Sequence, residues 1–330
     1  MPFSFIKKNI FSSPKVRIVF MGTPDFAAAF LQAMIQEKYQ IVAVFTQPDK
    51  PQGREQETVL SPVKTIAVSN NIQVEQPMKI TETEIEKLKD LKPDLLVVAA
   101  YGRILPKAFL DVPGFGCINV HPSLLPKYRG ASPIQNALLH GETETGVTIM
   151  LMDAGMDTGA ILSQKSVPID PEDTAATLEQ KLTIEAVPLL METIPLFVKR
   201  KIEPRVQDDG EATLCELIER EDGRIFWNQS AQKIYDRYRA FTPWPGIFTY
   251  WKKNESGMPL RLKLISVSYQ KNNPALSHSY GEVFEVGEKI GIGTDEGIIF
   301  PESVQLEGKE TTSIQDFIRG YPNFIGSILE

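Results

Sequence analysis

The sequence predicts two domains, an α/β domain built on a doubly wound, mostly parallel sheet and a smaller β-barrel that follows it. The first domain is predicted because strands alternate with helical patterns over the first two thirds of the chain. The second is predicted because short strands separated by turn residues replace that pattern beyond residues 205–215. The length of 330 residues agrees with this division, since it corresponds to about two domains.

The amino-terminal half repeats a unit of strand, turn and helix. A β-branched run from Val16 to Met21 is followed by the turn Gly22-Thr23-Pro24-Asp25 and by a helical pattern from Phe26 to Gln36. Because strands that alternate with helices form parallel sheets through right-handed crossovers, we expect these strands to share one sheet. The further elements are the strands Ile41 to Phe45 and Leu95 to Ala99, and the helices Ser61 to Val68 and Thr83 to Leu91.

The remainder of the chain completes the sheet and then changes character. A helix that Asp173 or Thr174 can cap is expected to end near Val187, because prolines follow at positions 188, 195 and 204. The predicted division is a mobile arm at 1–15, an α/β domain at 16–208 and a β-barrel domain at 209–330. The other expected elements are the strands Cys117 to Val120, Gly146 to Met152, Gly159 to Val167, Phe248 to Trp251, Leu260 to Ser266, Gly281 to Val286 and Lys289 to Gly293, and helices around Pro133 to Leu139 and Ser230 to Ala240.

The composition is that of a globular protein that buries a core, with 42% apolar and 23% charged residues. Apolar runs such as Leu95 to Ala100 are far shorter than the roughly 18 to 20 residues that a membrane-spanning helix needs. The segment before Lys15 lacks the secretory pattern, so we expect a cytoplasmic protein with no membrane partner. Cys117 and Cys215 lie far apart and predict neither a disulfide framework nor a thiolate metal site.

Charge is distributed unevenly over the last third of the chain. The whole chain has a net charge of −7, but residues 220–271 carry ten basic and four acidic side chains, which gives +6. Residues 272–330 carry a net charge of −7. One face of this region could therefore bind a polyanion, although solvated surface charges without a partner would give the same counts.

The turn after the first strand invites a nucleotide-binding interpretation, because Gly22 follows a strand and precedes a helix. The dinucleotide fingerprint G-x-G-x-x-G is not met, since Thr23 and Pro24 follow and Phe26 and Ala27 stand where later glycines belong. The phosphate-binding sequence G-x-x-x-x-G-K-[ST] does not occur either. A nicotinamide enzyme or an NTPase is therefore disfavoured.

Asn119, His121 and Asp157 bring an amide, an imidazole and a carboxylate into one short part of the sequence. Residues two apart on a strand project to the same face, so Asn119 and His121 would emerge side by side where Pro122 ends the strand. Such a trio can carry out acyl transfer without a metal. Asp153 competes with Asp157 for the place beside the imidazole, and either carboxylate could instead cap a turn.

The three histidines, at positions 121, 140 and 278, do not predict a metal site. None of them falls in H-E-x-x-H or in another paired-ligand spacing. His140 and His278 each lie near a turn and are interpreted as structural residues.

Several stretches of the sequence resemble the folate-dependent formyltransferases. The central match runs from Asn119 to Gly130, with Gly146 to Met150 and Met152 to Gly159. The resemblance implies a Rossmann-like catalytic domain followed by an OB-like barrel that helps to hold a tRNA. It covers nearly the whole chain, through the further stretches Phe20 to Phe26, Thr46 to Pro51, Ala100 to Pro106, Arg239 to Gly246 and Leu306 to Lys309.

The resemblance also implies an activity and a set of site residues. The implied formyl donor is 10-formyltetrahydrofolate, and the implied acceptor is the α-amine of methionine on initiator tRNA, for translation initiation. Neither a metal nor an obligate protein partner is implied. The resemblance assigns catalysis to Asn119, His121 and Asp157, folate binding to Ser123, Leu124, Leu125, Pro126, Tyr101 and Ile104, and tRNA binding to Arg54, Arg237 and Arg239.

The loop Gly53-Arg54-Glu55-Gln56-Glu57 departs from the family, whose members often carry several basic residues there. Carboxylates beside phosphates weaken binding, so we expect this loop to contribute less to tRNA affinity than in its relatives.

Three alternative functions are compatible with the same residues. A formyltransferase for a free amine, such as an amino sugar, would use the same catalytic loop. A 10-formyltetrahydrofolate hydrolase would release formate without an acceptor. An RNA-binding module without enzymatic activity would use only the basic carboxy-terminal region.

Overall fold

The computed structural model describes residues 16–52, 57–254, 257–271 and 278–330. The predicted arm at 1–15 and the predicted tRNA contact Arg54 lie outside the described residues. The chain divides into two compact units, the first made of residues up to 131, 145–168 and 179–215, the second of residues 132–144, 169–178 and 216–330. Within the described ranges, no helix combines the length and the apolar character that crossing a membrane requires.

The elements of the described chain are as follows. The strands are β1 (Arg17–Gly22), β2 (Gln40–Phe45), β3 (Lys50–Gln52), β4 (Glu57–Val59), β5 (Val74–Glu75), β6 (Leu95–Ala99), β7 (Cys117–His121), β8 (Arg129–Gly130), β9 (Glu144–Leu151), β10 (Ile161–Pro168), β11 (Leu214–Cys215), β12 (Ile247–Trp251), β13 (Leu260–Gln270), β14 (Val283–Val286), β15 (Lys289–Gly293), β16 (Ile298–Leu306) and β17 (Thr312–Ser313). The helices are α1 (Asp25–Gln36), α2 (Pro62–Ser69), α3 (Glu82–Leu91), α4 (Lys107–Leu110), α5 (Pro133–Leu139), α6 (Ala175–Val198), α7 (Ala231–Phe241) and α8 (Ile314–Gly320).

The first unit is built on a seven-stranded sheet with the strand order β10-β9-β7-β6-β1-β2-β5. β1 pairs in parallel with β2 and β6, and β7 pairs in parallel with β6 and antiparallel with β9. The prediction of a mostly parallel sheet is therefore confirmed. Its middle strand, β6, is apolar and buried throughout, as expected for a strand that is covered on both faces, and one core cluster joins Met21, Phe45, Leu96 and Phe109.

Helix α6 continues well past the position at which the sequence predicted its end. Pro188 and Pro195 both lie inside it, although a proline in a helix interior costs about 3 kcal/mol. An apolar stripe that repeats every fourth residue runs along the helix past both prolines, and burying each of its leucine and isoleucine side chains contributes roughly 1.5–3 kcal/mol. The prediction of an end near Val187 is wrong because this burial outweighs the loss of backbone hydrogen bonds. The stripe consists of Leu182, Ala186, Leu190 and Ile194, all buried.

The second unit contains an antiparallel sheet with the order β12-β13-β16-β15-β14, and β17 pairs with β16. The predicted β-barrel is not confirmed, because the sheet does not close: β12 and β14 do not pair with each other in the described part of the chain. Carboxy-terminal residues bond to both edges instead: Ser327 accepts from the Val283 N–H at 2.9 Å, and Glu330 exchanges backbone hydrogen bonds with Tyr250. These bonds satisfy backbone groups that an open sheet edge would leave unpaired.

Candidate active site

Asn119 and His121 lie on β7, at the edge of the sheet where the parallel strands end. Gly22 of β1 pairs with Ala99 of β6, and Ala99 pairs with Val120 of β7, so the carboxyl ends of these three strands are aligned. Open α/β sheets bind ligands at this edge. The strand alternation places the amide and the imidazole on the same face, as the spacing predicted, while Val120 is buried.

Asp157 lies beside both residues. Its Oδ2 atom is 3.6 Å from Nδ1 of His121, and its Oδ1 atom is 3.5 Å from Nδ2 of Asn119. The backbone N–H of Gly130 donates to Oδ2 at 2.9 Å, which fixes the carboxylate. The competing carboxylate of Asp153 is exposed and caps its own turn, because Oδ1 accepts from the Gly155 N–H and the Thr158 hydroxyl. The structure therefore brings together the predicted trio and leaves Asp153 outside it.

The imidazole of His121 is 4% exposed, yet both of its nitrogens face polar groups. Nε2 lies 2.9 Å from the backbone carbonyl of Tyr128, and Nδ1 faces Asp157. Because a carbonyl oxygen can only accept, Nε2 carries a proton, and the neutral ring presents the lone pair of Nδ1 to the side of Asn119 and Asp157. When the ring is protonated, the positive charge at Nδ1 faces the Asp157 carboxylate across 3.6 Å, so the carboxylate is placed to stabilise an imidazolium electrostatically.

The loop after β7 is held by its own hydrogen bonds. The Ser123 hydroxyl donates to the Lys127 carbonyl at 2.7 Å, and the Thr148 hydroxyl donates to the Ser123 carbonyl at 2.7 Å and accepts from the Leu125 N–H. Leu125 packs in a small core cluster. Of the four loop residues assigned to folate, Ser123 and Leu125 are buried, and Leu124 and Pro126 are partly exposed.

The two other predicted folate residues occupy different surroundings. Tyr101 is buried in the core of the first unit, its backbone carbonyl accepts from the Gln47 side chain, and burial raises the pKa of its phenol. Ile104 is 84% exposed. The segment that carries them follows β6, the strand adjacent to β7, so it starts at the same edge of the sheet as the loop that follows β7.

Neither described arginine of the predicted tRNA contacts presents a freely exposed guanidinium. Arg239 is 5% exposed, pairs with Asp236 and donates to the Asp173 carbonyl, so it is an internal residue of the second unit and the expectation of a surface contact is corrected. Arg237 donates to the Asp222 carbonyl and lies over the Phe241 ring, and burial lowers its pKa. Counting charges along the sequence could not separate buried arginines from exposed ones.

A different group of cations lies on one face of the β12–β13 pair, which we call the basic face. Phe248 is opposite Lys263 and Tyr250 is opposite Arg261, so these four side chains project to the same side. The Arg261 guanidinium lies 3.6 Å from the centroid of the Phe248 ring. Burial, followed by the charges of Arg261 and Arg220, lowers the pKa of Lys263. The basic face is made of Arg220, Arg224, Arg261 and Lys263 with the aromatic rings of Phe226, Phe248 and Tyr250.

The mostly parallel sheet carries an amide, an imidazole and a carboxylate at its carboxyl edge, a set of groups that suits acyl transfer. Residues 16–194 match the formyl transferase family, and residues 217–322 match the formyl transferase C-terminal domain. Methionyl-tRNA formyltransferase from Geotalea uraniireducens is 41% identical over 95% of this chain and 98% of its own length. The enzyme of that name from Caldicellulosiruptor saccharolyticus is 44% identical over 94% of this chain and 99% of its own. The chain belongs to the methionyl-tRNA formyltransferase family.

Solved structures share the fold at lower identity. An N-formyltransferase from Helicobacter canadensis, in complex with folinic acid and dTDP-3-aminofucose, has a TM-score of 0.63 and 22% identity, and covers 87% of this chain and 98% of its own. HypX from Aquifex aeolicus, in complex with tetrahydrofolic acid, has a TM-score of 0.60 and 16% identity, and covers 94% of this chain and 48% of its own. At these identities the likeness is one of fold.

Proposed function

We propose that this protein transfers the formyl group of 10-formyltetrahydrofolate to the α-amino group of methionyl-initiator tRNA, for translation initiation. The observation that carries the proposal is the convergence of Asn119, His121 and Asp157 at the carboxyl edge of the sheet. The two proposed substrates are those of the family to which the chain belongs. We further propose that the enzyme acts in the cytoplasm, where charged tRNA is available.

The three side chains supply what the transfer needs. The amine attacks the formyl carbon in its neutral form, and an α-amino group with an ordinary pKa of about 7.7–8.0 is partly neutral near pH 7. The Asn119 amide donates to the oxyanion that forms, an effect worth roughly 3–4 kcal/mol in comparable sites. Nδ1 of His121 takes the amine proton, and Asp157 stabilises the imidazolium. The carbonyl then reforms as the bond from the formyl carbon to N10 breaks, and the proton held by the His121 imidazolium passes to N10.

The folate donor is proposed to bind along the loops that follow β6 and β7. Ser123, Leu124, Leu125 and Pro126 form the loop next to His121, and their internal hydrogen bonds keep its backbone in one conformation. Ile104 offers an exposed apolar side chain that a ring system could cover. Tyr101 is proposed to support this wall from the core rather than to touch the donor.

The tRNA is proposed to contact residues 209–330, with residues 16–208 forming the catalytic domain. The basic face supports this assignment, because cations interleaved with aromatic rings suit a phosphate backbone. The antiparallel sheet that carries this face is proposed to act as the OB-like module of the family. Arg54 and Arg237 stay predicted RNA contacts, and Arg239 is proposed to act only by holding α7.

The test is transfer of labelled formyl from the folate donor to methionyl-initiator tRNA, with methionyl-elongator tRNA, a nucleotide-linked amino sugar and a no-acceptor reaction in parallel. We expect formylation of the initiator tRNA well above that of the others. Formate release at the same rate without an acceptor would indicate a hydrolase, and preference for the amino sugar would indicate a small-molecule formyltransferase. Binding of tRNA without any transfer would also contradict the proposal.

A further inference from the structure

Residues 205–215, which we call the connecting segment, pack against the backbone that holds the catalytic trio. The connecting segment belongs to the first unit and leads into residues 216–330 of the second. Three of its side chains, those of Gln207, Asp209 and Thr213, bond to the loops that carry His121 and Asp157. No sequence motif predicts these contacts.

Gln207 is 8% exposed and uses its whole amide group. Its Nε2 atom donates to the backbone carbonyls of Asp157 at 2.8 Å and Gly159 at 2.7 Å, and its Oε1 atom accepts from Nε of Arg129 at 3.0 Å. A buried amide with all of these partners has one orientation, because turning it over would put an oxygen against two carbonyls. Gln207 therefore fixes the turn that carries the catalytic carboxylate.

That turn needs an external support. Asp157 has a φ of +52°, a left-handed conformation that is unfavourable for a residue with a Cβ atom. Gly159 lies so close to β9 that a Cβ atom there would be 1.8 Å from the Leu151 carbonyl oxygen. The turn is thus both strained and tightly confined, and the two hydrogen bonds from Gln207 are what hold its carbonyls in place.

The connecting segment also fixes the backbone that contacts the imidazole. β11 pairs in parallel with β8, and the Thr213 hydroxyl accepts from the Tyr128 N–H at 2.8 Å. The carbonyl of Tyr128 faces His121, and the N–H of Gly130 binds Asp157. Gly130, with a φ of +121°, allows the approach, since a Cβ atom there would be 2.2 Å from the Cys215 carbonyl oxygen.

We infer that Gln207 is a positioning residue for Asp157 and that, with Thr213, it sets the geometry of the His121–Asp157 pair. This inference rests on the catalytic roles proposed above. A small displacement of Asp157 would leave the substrates bound but misalign the groups that handle the proton and the charge. Misplacement by about 1 Å can lower a rate by 10²-fold.

The test compares Gln207→Glu with Gln207→Leu. Glu keeps an oxygen for Arg129 but puts an oxygen in place of the nitrogen that donates to the carbonyls of Asp157 and Gly159. We expect both variants to lower kcat by roughly 10- to 100-fold, with KM for folate and for tRNA within about threefold of the parent. Full activity of Gln207→Glu would overturn the inference, because only the contact with Arg129 would then matter.

A second comparison separates positioning from general stability. If Gln207 acts through Asp157, the loss of kcat from Gln207→Glu should shrink or vanish in an Asp157→Ala background. An equal loss in both backgrounds would overturn the inference. Thr193→Val is the matched control, since it removes part-buried side-chain hydrogen bonds to Ser163 and to the Leu189 carbonyl in the same unit and should leave kcat unchanged.

The nitrogen NMR signals of the His121 imidazole provide a readout that does not need turnover. We expect them to change in Gln207→Glu and to stay in place in Thr193→Val. If the parent enzyme failed to formylate tRNA, these signals would still test the positioning role. Unchanged imidazole signals in Gln207→Glu would count against that role even in a fully active parent.

Discussion

At the scale of single residues, the two carboxylates of the Met152 to Gly159 stretch are a natural pair for comparison. Asp157 faces Asn119 and His121, whereas Asp153 is exposed and bonds within its own turn. They are four residues apart and have the same chemistry, so they differ in the position of the carboxylate relative to β7. Asp157 has a positive φ, and its carboxylate lies beside Asn119 and His121 of β7.

We predict that Asp157→Asn lowers kcat by roughly 10²- to 10⁴-fold, because the amide no longer stabilises the imidazolium that forms when His121 takes the proton. KM for both substrates should change little. Steady-state formylation assays measure both quantities. Asp153→Asn is the control, and a comparable loss of kcat in that variant would show that the wrong carboxylate has been assigned.

Cys117 gives a prediction about pH and stability. Burial, reinforced by Asp111, raises the pKa of its thiol from 9.0 to about 12. Between these values the unfolded chain releases a proton that the folded chain retains, so the free energy of unfolding falls as the pH rises from about 9 towards 12. Below pH 9 the thiol is neutral in both states and does not make the free energy of unfolding depend on pH.

Replacement of Cys117 should therefore make the alkaline fall in stability shallower. Urea unfolding of the reduced protein at several pH values from 8 to 10.5 gives the slope. Cys117→Ala and Cys117→Val should show the same shallower slope even though they differ in absolute stability. If the slope were that of the parent in both, the thiol would not be the group responsible.

At the scale of elements, the sequence predicted the features that depend on the pattern of neighbouring residues. The alternation that put Asn119 and His121 on one face is a property of β7 alone, and the strand–turn–helix unit at Arg17 to Gln36 needs no distant partner. By contrast, β16 was not predicted, since Pro301 and Glu302 interrupt its apolar pattern. The strand forms because its partner β13 shifts register opposite this point, with pairs Ser266–Ser303 and Val267–Pro301.

Dependence on partners that are distant in the sequence also explains which site residues the sequence analysis missed or misassigned. Gln207 bonds to residues about 50 and 78 positions away along the chain, and such partners carry no signature in a short window of sequence. The resemblance assigned Arg239 to tRNA binding, and only the position of α7 shows that this side chain is buried against Asp236.

We predict that Pro188→Ala raises the free energy of unfolding by about 1–3 kcal/mol, because the new N–H can bond to the carbonyl four residues earlier in α6. Pro188 is exposed, so the loss of its ring removes little packing. Urea unfolding monitored by circular dichroism measures the change. Pro204→Ala, in an exposed position outside the helix, should instead be neutral or slightly destabilising. A loss of stability in Pro188→Ala would mean that the ring supports the helix.

At the scale of the whole molecule, an acidic protein must bind a polyanion. The net charge of −7 opposes a general attraction, so affinity for tRNA has to come from a local concentration of cations. The basic face provides one, with Arg220 exposed and Lys263 partly exposed. Arg261 shields the buried Phe248 ring and is a poor choice for substitution, because its loss would also disturb packing.

We predict that the double variant Arg220→Gln/Lys263→Gln raises KM for methionyl-tRNA and reduces the slope of log KM against log salt concentration by about 2, one for each phosphate that is no longer neutralised. KM for the folate donor and the rate with saturating tRNA should stay near the parent values, since neither residue belongs to the catalytic trio. Kinetics over a range of KCl concentrations test both statements.

The control for charge alone is Lys289→Gln/Arg319→Gln, which removes two cations from the acidic region 272–330. This variant has the same net charge as the basic-face variant, so a general electrostatic attraction would weaken equally in the two. A local contact predicts a reduced salt slope only when the basic face is altered. Equal slopes of log KM against log salt concentration in the two variants would indicate that the RNA binds elsewhere. The cations over Phe248 and Tyr250 would then have a structural role.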